Sequence, residues 1–247
     1  MESDIGTHPD RGAASPNHGA PRRPSFLYSG YWLVLGLLVV SYALCAAQVS
    51  RNPSAVALLV QLVTVAVTLW VARVRPAQRT VGWTVLAIAA AGTALVMVLG
   101  TQGHVLAIVL SGASMVAYLV APVAIIAHQS RRRRIDGQTL LAAIAAYVMV
   151  GMFYTFVFNL IGLLSAQPTF GVGNVDSLTG QLFFSFTTLT TTGYGNLVPV
   201  DALVQSVAIA ETITGQLFLV IAVARVVDRW NHPRDSAGRQ PRPPTAK

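Results

Sequence analysis

The sequence predicts an all-α membrane protein with six transmembrane helices and a short re-entrant helix between the fifth and the sixth. The chain of 247 residues is 53% hydrophobic and only 11% charged, with a mean hydropathy of +0.58. Soluble domains, by contrast, are about 25% charged. Apolar stretches also recur along the chain, and each is long enough to cross a bilayer as a helix.

Six apolar segments are predicted to span the membrane, between two polar tails. The tails, residues 1–28 and 229–247, lack hydrophobic periodicity and are predicted to be disordered. Between them we expect a peripheral four-helix membrane domain at residues 29–130 and a second membrane domain at residues 131–228. The predicted spans are Tyr31–Val49, Ala55–Ala72, Val81–Leu99, Val105–Ala127, Leu140–Leu164 and Ala202–Val227.

The positive charges predict on which side of the membrane each connection lies. The net charge of +8 comes from 16 Arg and one Lys, and all of these except Arg51 lie near the two tails or in the second and fourth connections. The positive-inside rule then places both termini in the cytoplasm and the fifth connection outside. Because the charges flank apolar runs, they favour a multi-pass protein of the plasma membrane over a nucleic-acid-binding protein.

Four consecutive arginines, at residues 131–134, follow the fourth span. We interpret them as a cytoplasmic anchor that could also bind anionic lipid head groups. A voltage sensor needs several arginines spaced through a span, and Val105–Ala127 contains none, so we expect no gating by a voltage sensor. The four residues are Arg131, Arg132, Arg133 and Arg134.

The sequence contains no cluster of residues typical of an enzyme. The single cysteine, Cys45, lies in an apolar run and supports neither a disulfide framework nor a metal site. We find no nucleophile–histidine–acid set and no glycine loop of the kind that binds phosphate. We therefore expect no enzyme activity and no cofactor.

The fifth connection contains a segment too short to span the membrane, Ser177–Leu189, with Asp176 or Ser177 as its helix cap. A short helix that returns as irregular backbone is tolerated only when it is buried in protein or lines a water-filled cavity. In such a loop, backbone carbonyls can replace the water shell of a cation. The loop that follows the segment reads Thr190-Thr191-Thr192-Gly193-Tyr194-Gly195-Asn196.

With this loop, Leu140–Val227 resembles the pore module of the potassium-channel superfamily, in particular bacterial ion channels with a two-pore-channel-like pore and one pore loop per chain. The matching order is outer helix, turret, pore helix, Thr-Thr-x-Gly-Tyr-Gly filter and inner helix. The resemblance covers about the last third of the chain, and the first four spans carry no comparable signature. It implies a homotetramer that conducts K+ passively, since one chain supplies one loop and a ring needs four.

The resemblance also assigns residue roles. Gly193 and Gly195 permit backbone dihedrals that turn successive carbonyls toward the pore axis, and Tyr194 braces the loop against the pore helix of a neighbour. Further candidates for filter support or gating are Thr190, Asn196, Glu211 and Gly215. The residues implied in ion binding are Thr191, Thr192, Gly193, Tyr194 and Gly195, with K+ at the carbonyls of the first four and at the Thr191 hydroxyl.

Two departures from the commonest filters keep alternatives open. Thr192 stands where those filters have valine, and Asn196 stands where they have an aspartate that ties the outer filter to the pore helix. One alternative is a weakly selective cation channel. The other is a non-conducting scaffold or accessory subunit that retains a pore-like fold.

Three residues, two inside the last span and one at its start, each carry more than one interpretation. Glu211, an ionisable residue well inside the span, braces the filter or acts as a pH-sensitive gate element, or is simply a hydrogen-bonded structural residue. Gly215 is an inner-helix hinge or a close-packing glycine. Asp201, near the external mouth, concentrates cations or caps a helix.

Overall fold

The protein is described here from a computed structural model that covers residues 29–48, 55–71, 76–98, 103–129, 137–165, 167–171 and 177–231. Over these residues the chain is helical and forms no strand. One isolated β-bridge joins Phe170 to Pro199. The helices are α1 (Ser29–Ala46), α2 (Ala55–Val71), α3 (Pro76–Val98), α4 (His104–Gln129), α5 (Gly137–Leu164), α6 (Leu178–Leu189) and α7 (Ala202–Asn231).

Each predicted span coincides with a helix to within a few residues, and α6 coincides with the predicted short segment. Within the described residues, three helices are long and apolar enough to cross a membrane, over His104–Ile126, Thr139–Leu164 and Ala202–Arg225. The apolar parts of α1, α2 and α3 are shorter, so the count of six spans stays a prediction, as does the re-entrant position of α6.

Several predictions fall on residues outside the described ranges. These are the arginine run at residues 131–134, the cap candidate Asp176, the N-terminal tail and most of the C-terminal tail. Residues 229–231, predicted as the start of that tail, are the last residues of α7.

Helix α6 begins where its sequence provides a cap and an apolar face. The Ser177 hydroxyl accepts a hydrogen bond from the backbone N–H of Gly180 at 3.0 Å, which satisfies one of the free donors of the first turn. Ser177 is therefore the cap among the described residues. Five of its buried positions recur at helical spacing along one side, and Phe184 is buried beside them; the five are Leu178, Gln181, Leu182, Ser185 and Leu189.

Helix α4 joins three other helices through buried hydrogen bonds. Lipid tails are as apolar as leucine, so hydrophobic contact alone does not select which helices associate in a membrane, and polar side chains hold them together. One side of α4 provides these groups at a spacing of three and four residues. The bonds are Asn159 Nδ2 of α5 to Ser111 Oγ (2.7 Å), Ser114 Oγ to Gln61 Oε1 of α2 (2.5 Å), and a shared bond between the hydroxyls of Tyr118 and Ser41 of α1 (2.5 Å).

The C-terminal end of α1 holds the start of α6. The Thr179 hydroxyl donates to the carbonyls of Gln48 (2.7 Å) and Ala46 (3.1 Å), and the Thr179 N–H also donates to Gln48 (3.3 Å). Carbonyls at the end of one helix thus bind a free N–H at the start of another. Near the other end of α6, the ring of Tyr42 packs edge-on against Phe186 at 5.4 Å. The first helix therefore contacts α6 near both of its ends.

Replacing Thr179 by valine tests the contact between α1 and α6. Valine keeps the shape of threonine but removes the hydroxyl that donates to the carbonyls of Ala46, the last residue of α1, and of Gln48, two residues beyond it. We therefore expect a loss of about 1 kcal/mol of stability. The melting midpoint of the protein in detergent should fall by a few degrees. The matched control is Ser206→Ala, because the Ser206 hydroxyl bonds only to Ala202 of its own helix. Equal midpoints for Thr179→Val and the control would contradict the contact.

Candidate functional site

The loop at residues 190–196, hereafter the 190–196 loop, is fastened to the last turn of α6. The hydroxyl and N–H of Thr190 both donate to the Phe186 carbonyl, at 2.7 and 3.1 Å. The N–H groups of Thr192 and Gly193 both donate to the Thr187 carbonyl, at 2.8 and 3.2 Å. Carbonyls that a helix end leaves free are therefore used to bind the loop that follows it.

The backbone of the loop changes the sign of φ at every residue from Thr191 to Gly195. φ is +56° at Thr191, +53° at Gly193 and +78° at Gly195, and it is negative at Thr192 and Tyr194. Such alternation allows successive carbonyls to turn toward one side of the chain, which is the arrangement that a cation needs. The two glycines were predicted for this reason.

Thr191 was predicted as an ion ligand but not as a left-handed residue. Among the described residues it alone combines a side chain with positive φ. A β-branched residue is disfavoured in this region by about 1 kcal/mol or more. Its hydroxyl donates to the Thr190 carbonyl at 2.7 Å. No sequence signal reveals this conformation, because threonine ordinarily argues against it.

The two glycines of the loop are required by backbone conformation and not by lack of space. Apart from the two adjacent residues, a Cβ added at Gly193 or at Gly195 would meet no atom of the described residues within 4 Å. The whole loop is exposed in the single chain, and Tyr194 is 69% exposed. The Tyr194 ring stacks on Phe183 of its own α6 at 5.6 Å. Its predicted contact with a neighbouring chain stays a prediction.

The end of α6 is held by α5 and by α7. The Tyr147 hydroxyl of α5 donates to the Leu189 carbonyl at 3.2 Å. Gly215 of α7 lies against the same carbonyl, and a Cβ at position 215 would collide with the Leu189 oxygen. This contact supports the close-packing interpretation of Gly215. Helix α7 runs through Gly215 as one helix, and the hinge interpretation stays a prediction.

Glu211 is fully buried and binds the middle of α6. Its Oε1 accepts a hydrogen bond from the Ser185 hydroxyl at 2.6 Å, and that hydroxyl also lies 2.8 Å from the Gly151 carbonyl of α5. One serine of α6 is thus in contact with both neighbouring helices. The other oxygen of Glu211, Oε2, has no hydrogen-bond partner within the described part of the chain. This geometry fits a hydrogen-bonded structural residue, which joins α7 to the helix before the loop; the bracing and pH-gate interpretations stay predictions.

The segment after the loop is tied back to the segment before α6. The N–H of Gly171 donates to the Val198 carbonyl, and the N–H of Val200 donates to the Thr169 carbonyl. Gln205 Nε2 donates to the Pro199 carbonyl at 3.0 Å. These bonds hold the outer end of the loop region.

Asp201 caps helix α7. Its Oδ1 accepts from the N–H of Leu203 at 3.3 Å, and its own carbonyl accepts from the N–H of Gln205. The capping interpretation of Asp201 is therefore the one that the geometry supports. Asn196, the other polar residue at this end, is exposed.

Sequence reasoning missed one polar residue that reaches the loop from α7. Gln216 Nε2 donates to the Thr191 hydroxyl at 3.1 Å. The position follows Gly215 directly, but a glutamine in an apolar helix does not reveal its partner 25 residues away. Within the described ranges, no group of three or more His, Cys, Asp or Glu side chains could hold a metal ion.

A pair of substitutions tests the link between Glu211 and Ser185. Glu211→Ala and Ser185→Ala should each lower the melting midpoint, and the double variant should lose less than the sum of the two. The expected coupling is about 1 kcal/mol, the value of one buried hydrogen bond. Glu211→Ala combined with Ser206→Ala is the control pair, because those side chains share no bond and their effects should add. Additive effects for Glu211 and Ser185 would refute the link.

Comparison with known families gives one match to this region. A family model described as an ion channel matches residues 142–231, which include α6, the loop and α7. No curated protein and no solved structure matches the chain. The match supports an ion channel of the potassium-channel superfamily, as the residues of the loop predicted.

Proposed function

Because residues 142–231 match an ion channel family, we propose that the protein is a homotetrameric channel that conducts K+ passively and selectively across the membrane. The observation that carries this proposal is the alternation of φ along the 190–196 loop. The loop is the ion pathway, and four copies of it form a ring. Gating does not depend on a voltage sensor in the first four helices.

The chemistry of the proposed pathway is replacement of water by carbonyl oxygens. A potassium ion that enters the ring exchanges its hydration shell for the carbonyls of Thr191, Thr192, Gly193 and Tyr194. Gly195 allows the chain to turn at the outer end, where φ is again positive. The C-terminal end of α6, at Leu189, carries partial negative charge and attracts a cation to the inner side of the loop.

The exposure of α7 supports assembly with other copies. Only 17% of its span is buried inside the single chain, against 44% for the span of α5 and 56% for that of α4. Among its exposed residues are polar ones as well as large apolar ones. The Nε2 atoms of Gln205 and Gln216 bond to Pro199 and Thr191, but lipid offers no hydrogen-bond donor to their amide oxygens. If α7 lines a water-filled pore and packs against other copies of the chain, its polar side chains contact water and its apolar side chains contact the neighbouring copies.

The location of the protein belongs to the same proposal. The distribution of arginines supports insertion in the plasma membrane with both termini in the cytoplasm. Residues 131–134 lie outside the described ranges, and their binding of anionic lipid head groups is proposed from their charge alone.

Two other functions stay as alternatives. A weakly selective cation channel is suggested by Thr192 and Asn196, which replace the valine and aspartate of the commonest filters. A non-conducting scaffold or accessory subunit would keep the fold without transport. Ion flux and assembly distinguish the three.

Ion flux into liposomes tests conduction and selectivity. The reconstituted protein should carry K+ much faster than Na+, and Gly193→Ala should abolish the difference or the flux, because φ of +53° strains any residue with a side chain. The control is Gly112→Ala in α4, where a Cβ has open space and φ is not positive. Equal K+ and Na+ permeability would overturn the selective function, and absence of flux from an assembled protein would favour the scaffold.

Native mass measurement in detergent or lipid nanodiscs tests the assembly. The expected species contains four copies of the 26.2 kDa chain, because a ring of carbonyls needs four loops. A monomer or a dimer as the largest species under conditions that support flux would contradict the proposed tetramer.

A further inference from the structure

Gln216 is placed beneath the loop by the close approach of α7 to α6. The absence of a side chain at Gly215 lets α7 lie against the Leu189 carbonyl. The next residue, Gln216, then reaches the inner end of the 190–196 loop, where its Nε2 donates to the Thr191 hydroxyl. Gln216 lies outside the loop and is exposed in the single chain, so its amide is available to the space that four loops would enclose.

The two hydrogen bonds of the Thr191 hydroxyl leave one lone pair of its oxygen without a partner among the described residues. A hydroxyl has one hydrogen and two lone pairs. The hydrogen is directed to the Thr190 carbonyl at 2.7 Å, and one lone pair accepts from Gln216 at 3.1 Å. The second lone pair stays available to a cation. The bond from Gln216 is a second constraint on this orientation, because without it only the bond to the Thr190 carbonyl keeps the hydroxyl hydrogen away from the ion.

The neighbouring threonines do not compete for the same bonds. The Thr190 hydroxyl donates to the Phe186 carbonyl at 2.7 Å and shares a 2.8 Å bond with the Thr192 hydroxyl. The Thr190 hydrogen is therefore committed to α6. Among the described residues of α7, Gln216 is the one whose side chain bonds to the loop.

We propose that Gln216 is a positioning residue that sets the cation preference of the innermost step of the loop, by fixing the Thr191 hydroxyl as an oxygen ligand. The inference rests on the proposed channel function and adds to it a determinant outside the filter motif. In the tetramer, four amides surround the inner end of the pathway. Their Nε2 atoms hold the four threonine hydroxyls in one orientation.

Permeability ratios of the full-length protein in liposomes or planar bilayers test this role. Gln216→Met keeps the length of the side chain but removes the donor, and we expect the K+/Na+ permeability ratio to fall about fivefold, the equivalent of one hydrogen bond of about 1 kcal/mol. The control is Gln167→Met, an exposed glutamine outside the helices, which should leave the ratio unchanged.

Making Gln216→Met in a Thr191→Val variant distinguishes positioning of the Thr191 hydroxyl from a general structural effect of the substitution. In Thr191→Val, which has no hydroxyl to orient, Gln216→Met should produce no further change in the ratio. If Thr191→Val does not conduct, the readout is the rise of the melting midpoint with added K+, which reports binding. Gln216→Met should reduce that rise in the native background and leave it unaltered in Thr191→Val.

The outcomes distinguish this inference from the proposed function. A native protein without K+ preference refutes the proposed function and the inference with it. A K+-selective native protein whose ratio is unchanged in Gln216→Met refutes the inference alone. If Gln216→Met does not assemble, Gln216→Glu is measured instead. An ionised glutamate has the size of glutamine but cannot donate a hydrogen bond to the Thr191 hydroxyl. An unchanged K+/Na+ permeability ratio in Gln216→Glu also refutes the inference.

Discussion

The 190–196 loop can keep an unfavourable backbone conformation because α6, to which it is fastened, is itself held by three other helices. Its start is bonded to α1 through Thr179, its middle to α7 through Ser185 and Glu211, and its end to α5 through Tyr147. A left-handed threonine persists only where its surroundings determine it. Four bonds provide that determination on either side of Thr191: two from Thr190 to the Phe186 carbonyl, and one each from the N–H groups of Thr192 and Gly193 to the Thr187 carbonyl.

Polar contacts connect α1, α2 and α4 to the helix that carries the loop. Helix α4 links α1, α2 and α5, and α1 then reaches α6 directly. Tyr42 of α1 packs on Phe186, and the Phe186 carbonyl accepts both bonds from Thr190. A displacement of α1 would therefore act on Phe186 and, through the Phe186 carbonyl, on Thr190, the first residue of the loop.

Hydrogen bonds are present at or near the two positions, 192 and 196, where the loop departs from the commonest filter sequence. The hydroxyl of Thr192, which replaces valine, is bonded to the Thr190 hydroxyl and does not stay unpaired. The outer end of the loop region lacks an aspartate at position 196, but the bonds of Val198, Pro199 and Val200 hold the segment that follows. Such support is compatible with a selective pathway, since the carbonyls need a fixed backbone more than a particular side chain.

The sequence by itself determined the features that depend on local chemistry. Apolar length located the helices, residue type made Ser177 and Asp201 candidates for caps, and glycine identified two positions of positive φ. The loop motif also pointed to the ion channel family that matches residues 142–231.

The tertiary structure alone decided which residues support the loop. The bonds of Thr179 to Gln48 and of Glu211 to Ser185 join residues 131 and 26 positions apart, and in a chain that is apolar on all sides no periodicity reveals which face of a helix meets which neighbour. Gly215 and Gln216 acquire their roles from one close approach of two helices. The positive φ of Thr191 runs against its own preference, so only the bonds around it could impose that conformation.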